Sequence, residues 1–353
     1  MTNEKPVRLG FIGAGFMGQS AHLENYWRLP GVELAALAEG RDRTAQLVAR
    51  RYGIGSVYPH HRDMLDAAEL DAVVAIVPFA WNAGLVEDVL NAGHHVLTEK
   101  PQVNTSTRGR RLVELARQKQ LVYQVGYMKR FDPAVRWAKQ RVQAWLQSGS
   151  FGPFQSMRLW CALGAWNWFR APALDGGDAP QPYDTLLEPR PPGLSDCAWQ
   201  SFQYWSNYFS HQTNLARYVA GQDYTLDTAK NTGANWFVQC TFEPSGAQLY
   251  FDFADHHCDR WEEGFEVVFE RARLRASLPA PLARNQTARV KAYEFDPDRD
   301  GQHLEPSFPA VDGFAGQAQQ FIASIRGDEP PLSPAAEAVK EIEFAEELIA
   351  RCG

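Results

Sequence analysis

Apolar residues in the first 128 positions come in short runs separated by segments with a helical period. Val7–Ile12, Val32–Ala38, Asp71–Pro78, His95–Lys100 and Leu121–Met128 are rich in Val, Ile, Leu and Ala without alternation. Such runs suit strands covered on both faces. Between them the spacing predicts helices, one ending at Ala92 and one over residues 105–118. Strands alternating with helices predict a doubly wound parallel α/β sheet. From Asp132-Pro133 the pattern changes. Asp caps a helix and Pro fits its first turn, so a helix opens here and ends at Gly149 to Pro153. A strand follows over residues 154–161, then an aperiodic Pro- and Gly-rich stretch, 170–193, that reads as a long surface insertion. One helix is predicted over residues 199–220. Strands come next at 235–242, 248–253, 265–269, 273–278 and 289–295, and two helices close the chain at 312–325 and 334–351. The expected architecture is an N-terminal Rossmann domain, residues 1–128, and a C-terminal α+β domain, residues 129–353. The second domain is an open, mostly antiparallel sheet with helices on one face, and its last helix packs back on the first domain.

Composition narrows the class. The formal net charge is −7, which argues against a nucleic-acid binder. The longest apolar run, around Ala72 to Trp81, falls short of the about 18 residues a membrane span needs. No secretory signal core opens the sequence. Its five cysteines are scattered without a CxxC pair, as expected of free thiols in a reducing cytoplasm.

Gly13-Ala-Gly15-Phe16-Met17-Gly18 lies between the first strand and the first helix, and Glu39 stands 21 residues beyond Gly18, after the second strand. That arrangement is the dinucleotide fingerprint. Gly13 allows a tight turn, Gly15 lets a pyrophosphate approach the backbone, and Gly18 lets helix and sheet pack closely. Free N–H groups of the helix's first turn face the phosphates. Glu39 accepts from the adenine-ribose hydroxyls and repels a 2′-phosphate, so NAD is expected over NADP, although Arg41 and Arg43 stand close by. Ligands of such sheets bind at the carboxyl ends of the strands. Val77, Pro78, Glu99 and Lys100 are therefore expected at the cofactor, with Gly126-Tyr127 nearby.

Two constellations carry candidate chemistry. Lys100 follows Glu99 and precedes Pro101 at a strand end, which directs its side chain toward the crevice. Near a nicotinamide and out of water its pKa should fall, suiting proton exchange with a reacting hydroxyl. On the helix after the insertion, Gln203, Asn207, His211 and Asn214 are spaced four, four and three apart, a polar stripe among aromatic residues. His211, at its centre, is of the side-chain type that can titrate near neutral pH. Trp160, Trp166, Trp168, Trp199 and Trp205 are expected around the insertion, where flat rings suit the C–H faces of a sugar; Arg170 lies beside them. His256-His257-Cys258-Asp259 is spaced too tightly for a closed tetrahedral site, and no metal is assigned.

These residues together resemble the glucose–fructose oxidoreductase / inositol dehydrogenase (Gfo/Idh/MocA) family. The glycine loop, Glu99-Lys100-Pro101, Gly126-Tyr-Met-Lys-Arg130-Phe-Asp-Pro133 and the His211 helix occur in its order, over essentially the whole chain. The resemblance implies a Rossmann domain joined to an open-sheet domain, and a nicotinamide-dependent reaction at a sugar or cyclitol carbon. It implies Lys100 and His211 as the catalytic pair. Asn207, Asn214, Tyr127, Arg130, Trp166 and Arg170 are expected toward the substrate. Three departures stand out. Asn207 and Asn214 replace acids that often flank the histidine, and Phe209 takes the place of a glycine. Near Asn82 the family often has a histidine. The expected function is a dehydrogenase acting on a CH–OH carbon of a sugar, cyclitol or glycoside. Alternatives are redox-assisted glycoside cleavage, an exception to the two-carboxylate scheme, and a non-catalytic cofactor-binding sensor. The outer face of the second sheet needs cover, so a homodimer or homotetramer joined through it is expected.

Overall fold

The computed structural model describes residues 5–166, 173–179, 187–233, 235–255 and 258–352. Among the expected residues, Trp168, Arg170, His256 and His257 lie outside the described residues. The chain divides into two compact units. The first comprises residues 1–127, 171–195 and 314–343, and the second 128–170, 196–313 and 344–353. Of the residues expected in the second domain, the described residues 173–179 and 187–195, and residues 314–343, belong to the first unit.

The first unit holds β1 (Val7–Ile12), α1 (Glu24–Trp27), β2 (Val32–Ala38), α2 (Asp42–Tyr52), β3 (Ser56–Tyr58), α3 (His61–Ala67), β4 (Ala72–Ala75), α4 (Asn82–Asn91), β5 (His95–Thr98), α5 (Ser106–Gln118) and β6 (Tyr123–Val125). Its six strands are parallel, in the order β3-β2-β1-β4-β5-β6. Strand order reverses between β1 and β4, where ligands bind in open α/β sheets. A π-helical turn, Gly18–Leu23, precedes α1; such turns recur at functional sites. Thr105 caps α5, its hydroxyl accepting from the Arg108 N–H at 3.2 Å.

In the second unit, α6 (Pro133–Ser148), β7 (Phe154–Leu163), α7 (Asp196–Tyr208) and α8 (Ser210–Ala220) lead into β8 (Asp223–Asn231), β9 (Asn235–Glu243), β10 (Gln248–Asp255), β11 (Glu262–Phe269), β12 (Ala272–Leu278), β13 (Arg289–Glu294) and β14 (Gln302–Leu304). The sheet order is β14-β13-β12-β11-β7-β10-β9-β8. Every neighbouring pair is antiparallel except β7 and β10. Asp132 caps α6 as expected, accepting from the Ala134 and Val135 N–H groups at 2.8 and 3.4 Å. Two more helices follow, α9 (Gly313–Arg326) and α10 (Ala335–Cys352). The amphipathic α9 brings Ala318, Phe321 and Ile322 into the first unit's core beside Leu9, Phe11, Leu34 and Leu37. The boundary between the units falls within α10. None of the described helices is long and apolar enough to cross a membrane.

The single helix expected over residues 199–220 is two helices. Phe209 lies between them, buried and stacked on Phe253 with ring centroids 4.4 Å apart. Its carbonyl accepts from the Gln212 N–H at 3.1 Å, an i→i+3 bond, and from Thr213 at 3.3 Å. The ring is thus seated against the sheet at the residue where the first helix ends and the second begins. Trp205 is fully buried against Trp236, Phe253 and Phe344. Trp205→Ala is expected to destabilise the protein by about 3–5 kcal/mol, read by denaturant titration. A shift under about 1 kcal/mol would show that this core re-closes around the gap.

Candidate functional site

The glycine turn follows β1. Gly13 has φ +84°, and a Cβ there would lie 2.3 Å from the Ile76 carbonyl oxygen and 3.1 Å from Val77 Cγ1. The turn is therefore pressed against the chain leaving β4, beside Val77 and Pro78. A Cβ on Gly18 would lie 2.5 Å from the Gly13 carbonyl oxygen, whereas one on Gly15 would meet nothing within 4 Å. Space thus opens over Gly15 alone, as a pyrophosphate needs. Phe16 and Met17 continue from it into the helix, and the Gln19 N–H donates back to the Gly15 carbonyl at 3.0 Å.

Glu39, at the end of β2, is buried. Its carboxylate accepts from the Ala14 N–H at 2.8 Å and the Arg41 N–H at 3.1 Å, and from the Arg41 guanidinium at 3.0 and 2.9 Å. Burial pushes this carboxyl up, but Arg41 and the two N–H donors outweigh it and hold the group below the usual carboxylate range. The acid is thereby ionised and tied to the glycine turn. A cradle left open by Gly15 and flanked by an anchored acid fits a dinucleotide.

Glu99, Lys100 and Pro101 follow β5, with a cis peptide between Lys100 and Pro101. The turn is held from three sides. Asn82, fully buried at the start of α4, donates to the Glu99 and Pro101 carbonyls at 3.3 and 3.1 Å. The Glu99 carboxylate accepts from the Lys100 N–H at 3.2 Å and pairs with buried His22 at 2.8 Å. The His22 ring sits edge-on to Phe314, 5.3 Å away. Finally, a Cβ on Gly126 would lie 3.0 Å from Glu99 Oε1, so the backbone after β6 closes on the carboxylate. Tyr127, next along, is buried. Sequence reasoning missed His22, whose partner is 77 residues away, and the clamping role of Asn82. Asn82→Ala leaves the buried Pro101 carbonyl and the part-buried Glu99 carbonyl without that donor, and the expected stability loss is about 1–3 kcal/mol, measured by urea unfolding. An unchanged midpoint would contradict the clamp.

In the second unit, His211 and Asn214 lie on α8 and Asn207 on α7, so the expected stripe crosses the break at Phe209. Asn214 and Arg130 are each 1% exposed. Arg130 Nε donates to Asn214 Oδ1 at 2.6 Å, and its guanidinium lies 4.9 Å from the centre of the Tyr218 ring. Both residues, expected at the substrate, thus fix α8 to the turn before α6. Next to His211, Gln212 donates to the buried Glu263 at 2.7 Å, as does Trp261 at 2.9 Å, and Lys129 forms an ion pair with the same carboxylate. Glu263 was not anticipated. It lies in a strand pattern that gives no cue to a buried charge, and its partners are distant in sequence.

The expected tryptophan cluster does not form among the described residues. Trp205 lies in the core, and Trp199 stacks on Phe202 with ring centroids 5.5 Å apart. Trp160 projects from the opposite face of β7, under the Arg275 guanidinium. Trp166 is exposed, and its carbonyl accepts from the Leu282 N–H at 3.4 Å. Strand alternation separates Trp160 from the helix-facing residues.

A doubly wound parallel sheet with an open glycine turn, joined to an open-sheet unit, defines a two-domain dinucleotide-binding class. Residues 7–127 match the model of an oxidoreductase family with an NAD-binding Rossmann fold, GFO_IDH_MocA. The rhizopine catabolism protein MocA of Rhizobium meliloti is 24% identical over 98% of this chain and 95% of its own length. Inositol 2-dehydrogenase of Rubrobacter xylanophilus is 34% identical over 44% of this chain and 43% of its own. The solved structure of KijD10, a 3-ketoreductase from Actinomadura kijaniata in complex with NADP and TDP-benzene, shares the fold with a TM-score of 0.74 at 19% identity, covering 99% of this chain and 98% of that one. Residues 7–127 are thus similar to the NAD-binding Rossmann domain of the Gfo/Idh/MocA oxidoreductases, and over its full length the chain is similar to MocA and shares the fold of KijD10.

Proposed function

We propose that this protein is an NAD-dependent dehydrogenase that oxidises a CH–OH carbon of a sugar, cyclitol or glycoside. The reading is carried by the seating of Lys100, at the carboxyl end of β5 in a turn held by Asn82, Glu99 and His22. A turn fixed by buried polar partners suits a residue that must meet a reacting atom. Relatives named as dehydrogenases of inositol, levoglucosan and D-glucosides support the substrate class.

When bound, the nicotinamide supplies the hydride acceptor. His211 takes the proton from the substrate hydroxyl. Lys100 bonds to the same oxygen and stabilises its developing negative charge. Asn207, Tyr127, Trp166 and Arg170 are assigned to the substrate, and Arg130 and Asn214 keep the His211 helix in place. Gly13, Gly15, Phe16, Met17, Gly18, Glu39, Val77, Pro78 and Glu99 are assigned to the cofactor. NAD is preferred because the ionised Glu39 carboxylate, fixed after β2 against the glycine turn, would accept from the adenine-ribose hydroxyls and repel a 2′-phosphate. We place the enzyme in the cytoplasm, which suits its free thiols. We further assign it a homodimer or homotetramer joined through the outer sheet face, where Phe237, Tyr250 and Tyr293 are exposed.

The test is to incubate the purified protein with NAD and a panel of cyclitols, aldoses and glycosides and follow the absorbance of reduced cofactor. Turnover of at least one class is expected; silence across the panel contradicts the reading. Release of aglycone without net cofactor reduction would instead identify glycoside cleavage.

A further inference from the structure

Residues 173–179 form a strap on the first unit, anchored on two sides of the glycine turn. At one anchor, Gln19 grips Leu174 with both ends of its amide. The Leu174 N–H donates to Oε1 at 2.8 Å, and Nε2 donates to the Leu174 carbonyl at 2.9 Å and to the Ala14 carbonyl at 2.7 Å. At the other anchor, Gly176 meets the start of α2. A Cβ on it would lie 2.4 Å from Arg43 Cβ and 2.7 Å from the Thr44 nitrogen, so only glycine approaches this closely. The Gly176 N–H donates to Thr44 Oγ1 at 2.9 Å.

Asp178 completes that anchor. Its carboxylate accepts from the Arg43 N–H at 2.7 Å, the Thr44 hydroxyl at 2.8 Å and the Thr44 N–H at 3.3 Å. The residue in the capping position of α2, Arg41, provides no side-chain cap. The strap therefore caps this helix from far along the chain. Asp175 and Asp178 also act electrostatically on Arg41, which already pairs with Glu39. Meanwhile the space over Gly15 stays open.

A helix N-terminus with free N–H groups is a ready anion site. α2 starts three residues after Glu39, where a 2′-phosphate on the adenine ribose would seek donors. We infer that the strap sets cofactor choice: Asp178 occupies the anion-accepting start of α2, and Asp175, reached by the Thr44 hydroxyl at 3.5 Å, adds a second negative charge there, so that NAD is taken and a 2′-phosphate is rejected. The inference rests on the dinucleotide reading proposed above.

The experiment measures Kd for NAD and NADP by calorimetry on the full chain, for the wild type, Asp175→Asn, Asp178→Asn and the double variant. Asparagine at 178 keeps an acceptor oxygen for the cap. Wild type should prefer NAD by about tenfold or more. The double variant should narrow that preference about tenfold, through tighter NADP binding with NAD affinity within about threefold, and the change should shrink at high salt. A folded double variant whose preference stays within about twofold of wild type overturns the inference, as does a wild type that prefers NADP. Should the variants at 178 melt, the exposed Asp175→Asn decides by the same criterion at about threefold. A wild type that binds neither nucleotide overturns the dinucleotide reading itself, and the strap's role with it.

Discussion

Lys100→Ala is expected to lower kcat by about 10²–10⁴-fold, the range that removal of a proton-transfer or charge-stabilising group produces. The side chain is half-buried at a strand end, and the turn that carries it is held through backbone atoms. Its backbone N–H bonds to Glu99, while the flanking Glu99 and Pro101 carbonyls bond to Asn82. Truncation therefore leaves the turn's supports in place, and the thermal midpoint should stay near wild type. NAD affinity should change far less than kcat, by about tenfold at most. Steady-state kinetics beside a direct NAD titration separates these terms. A variant with wild-type kcat would remove Lys100 from the chemistry.

The second large effect separates two glycines in one motif. Gly15→Val places its side chain in open space, so the fold should persist with an unchanged midpoint. The pyrophosphate, however, loses its approach to the backbone, and NAD affinity should fall by about 100-fold or more, roughly 2.7 kcal/mol. Gly13→Ala acts in the opposite manner. Its φ of +84° and a Cβ 2.3 Å from the Ile76 carbonyl oxygen force the turn to shift. The expected cost is about 1–3 kcal/mol of stability from backbone strain alone. Calorimetric NAD titrations and melting curves on both variants test the pair. Equal losses of stability would contradict the open cradle over Gly15.

Much of the fold was legible because its signals are local. Apolar runs without alternation marked β1, β2, β4, β5 and β6, and Asp132-Pro133 marked the start of α6. The short β3, with three residues, and β14 carry too little pattern to stand out. β8 was missed because its alternation is brief: only Tyr224 and Leu226 are apolar and buried, between Asp223, Thr225 and Asp227, and the rest of the strand is polar or small. The break at Phe209 depends on Phe253, more than 40 residues on, and helical spacing alone runs straight through it. The glycine turn and Glu39 were legible for a related reason: their chemistry lies within one βαβ segment. The supports of Lys100 were not, because His22, Asn82 and Glu99 meet only once the sheet is assembled. Likewise, the Pro- and Gly-rich stretch read as a surface insertion because nothing in its own residues points to Gln19 or to the start of α2.

The central claim is that an amine from the first unit and an imidazole from the second serve one substrate hydroxyl beside a bound dinucleotide. The most direct test is a crystal structure of the protein with NAD and a substrate drawn from the turnover panel. Lys100 Nζ and a ring nitrogen of His211 should each lie about 3 Å from the same hydroxyl oxygen, with the pyrophosphate over Gly15. A complex in which no single hydroxyl reaches both nitrogens would contradict the account.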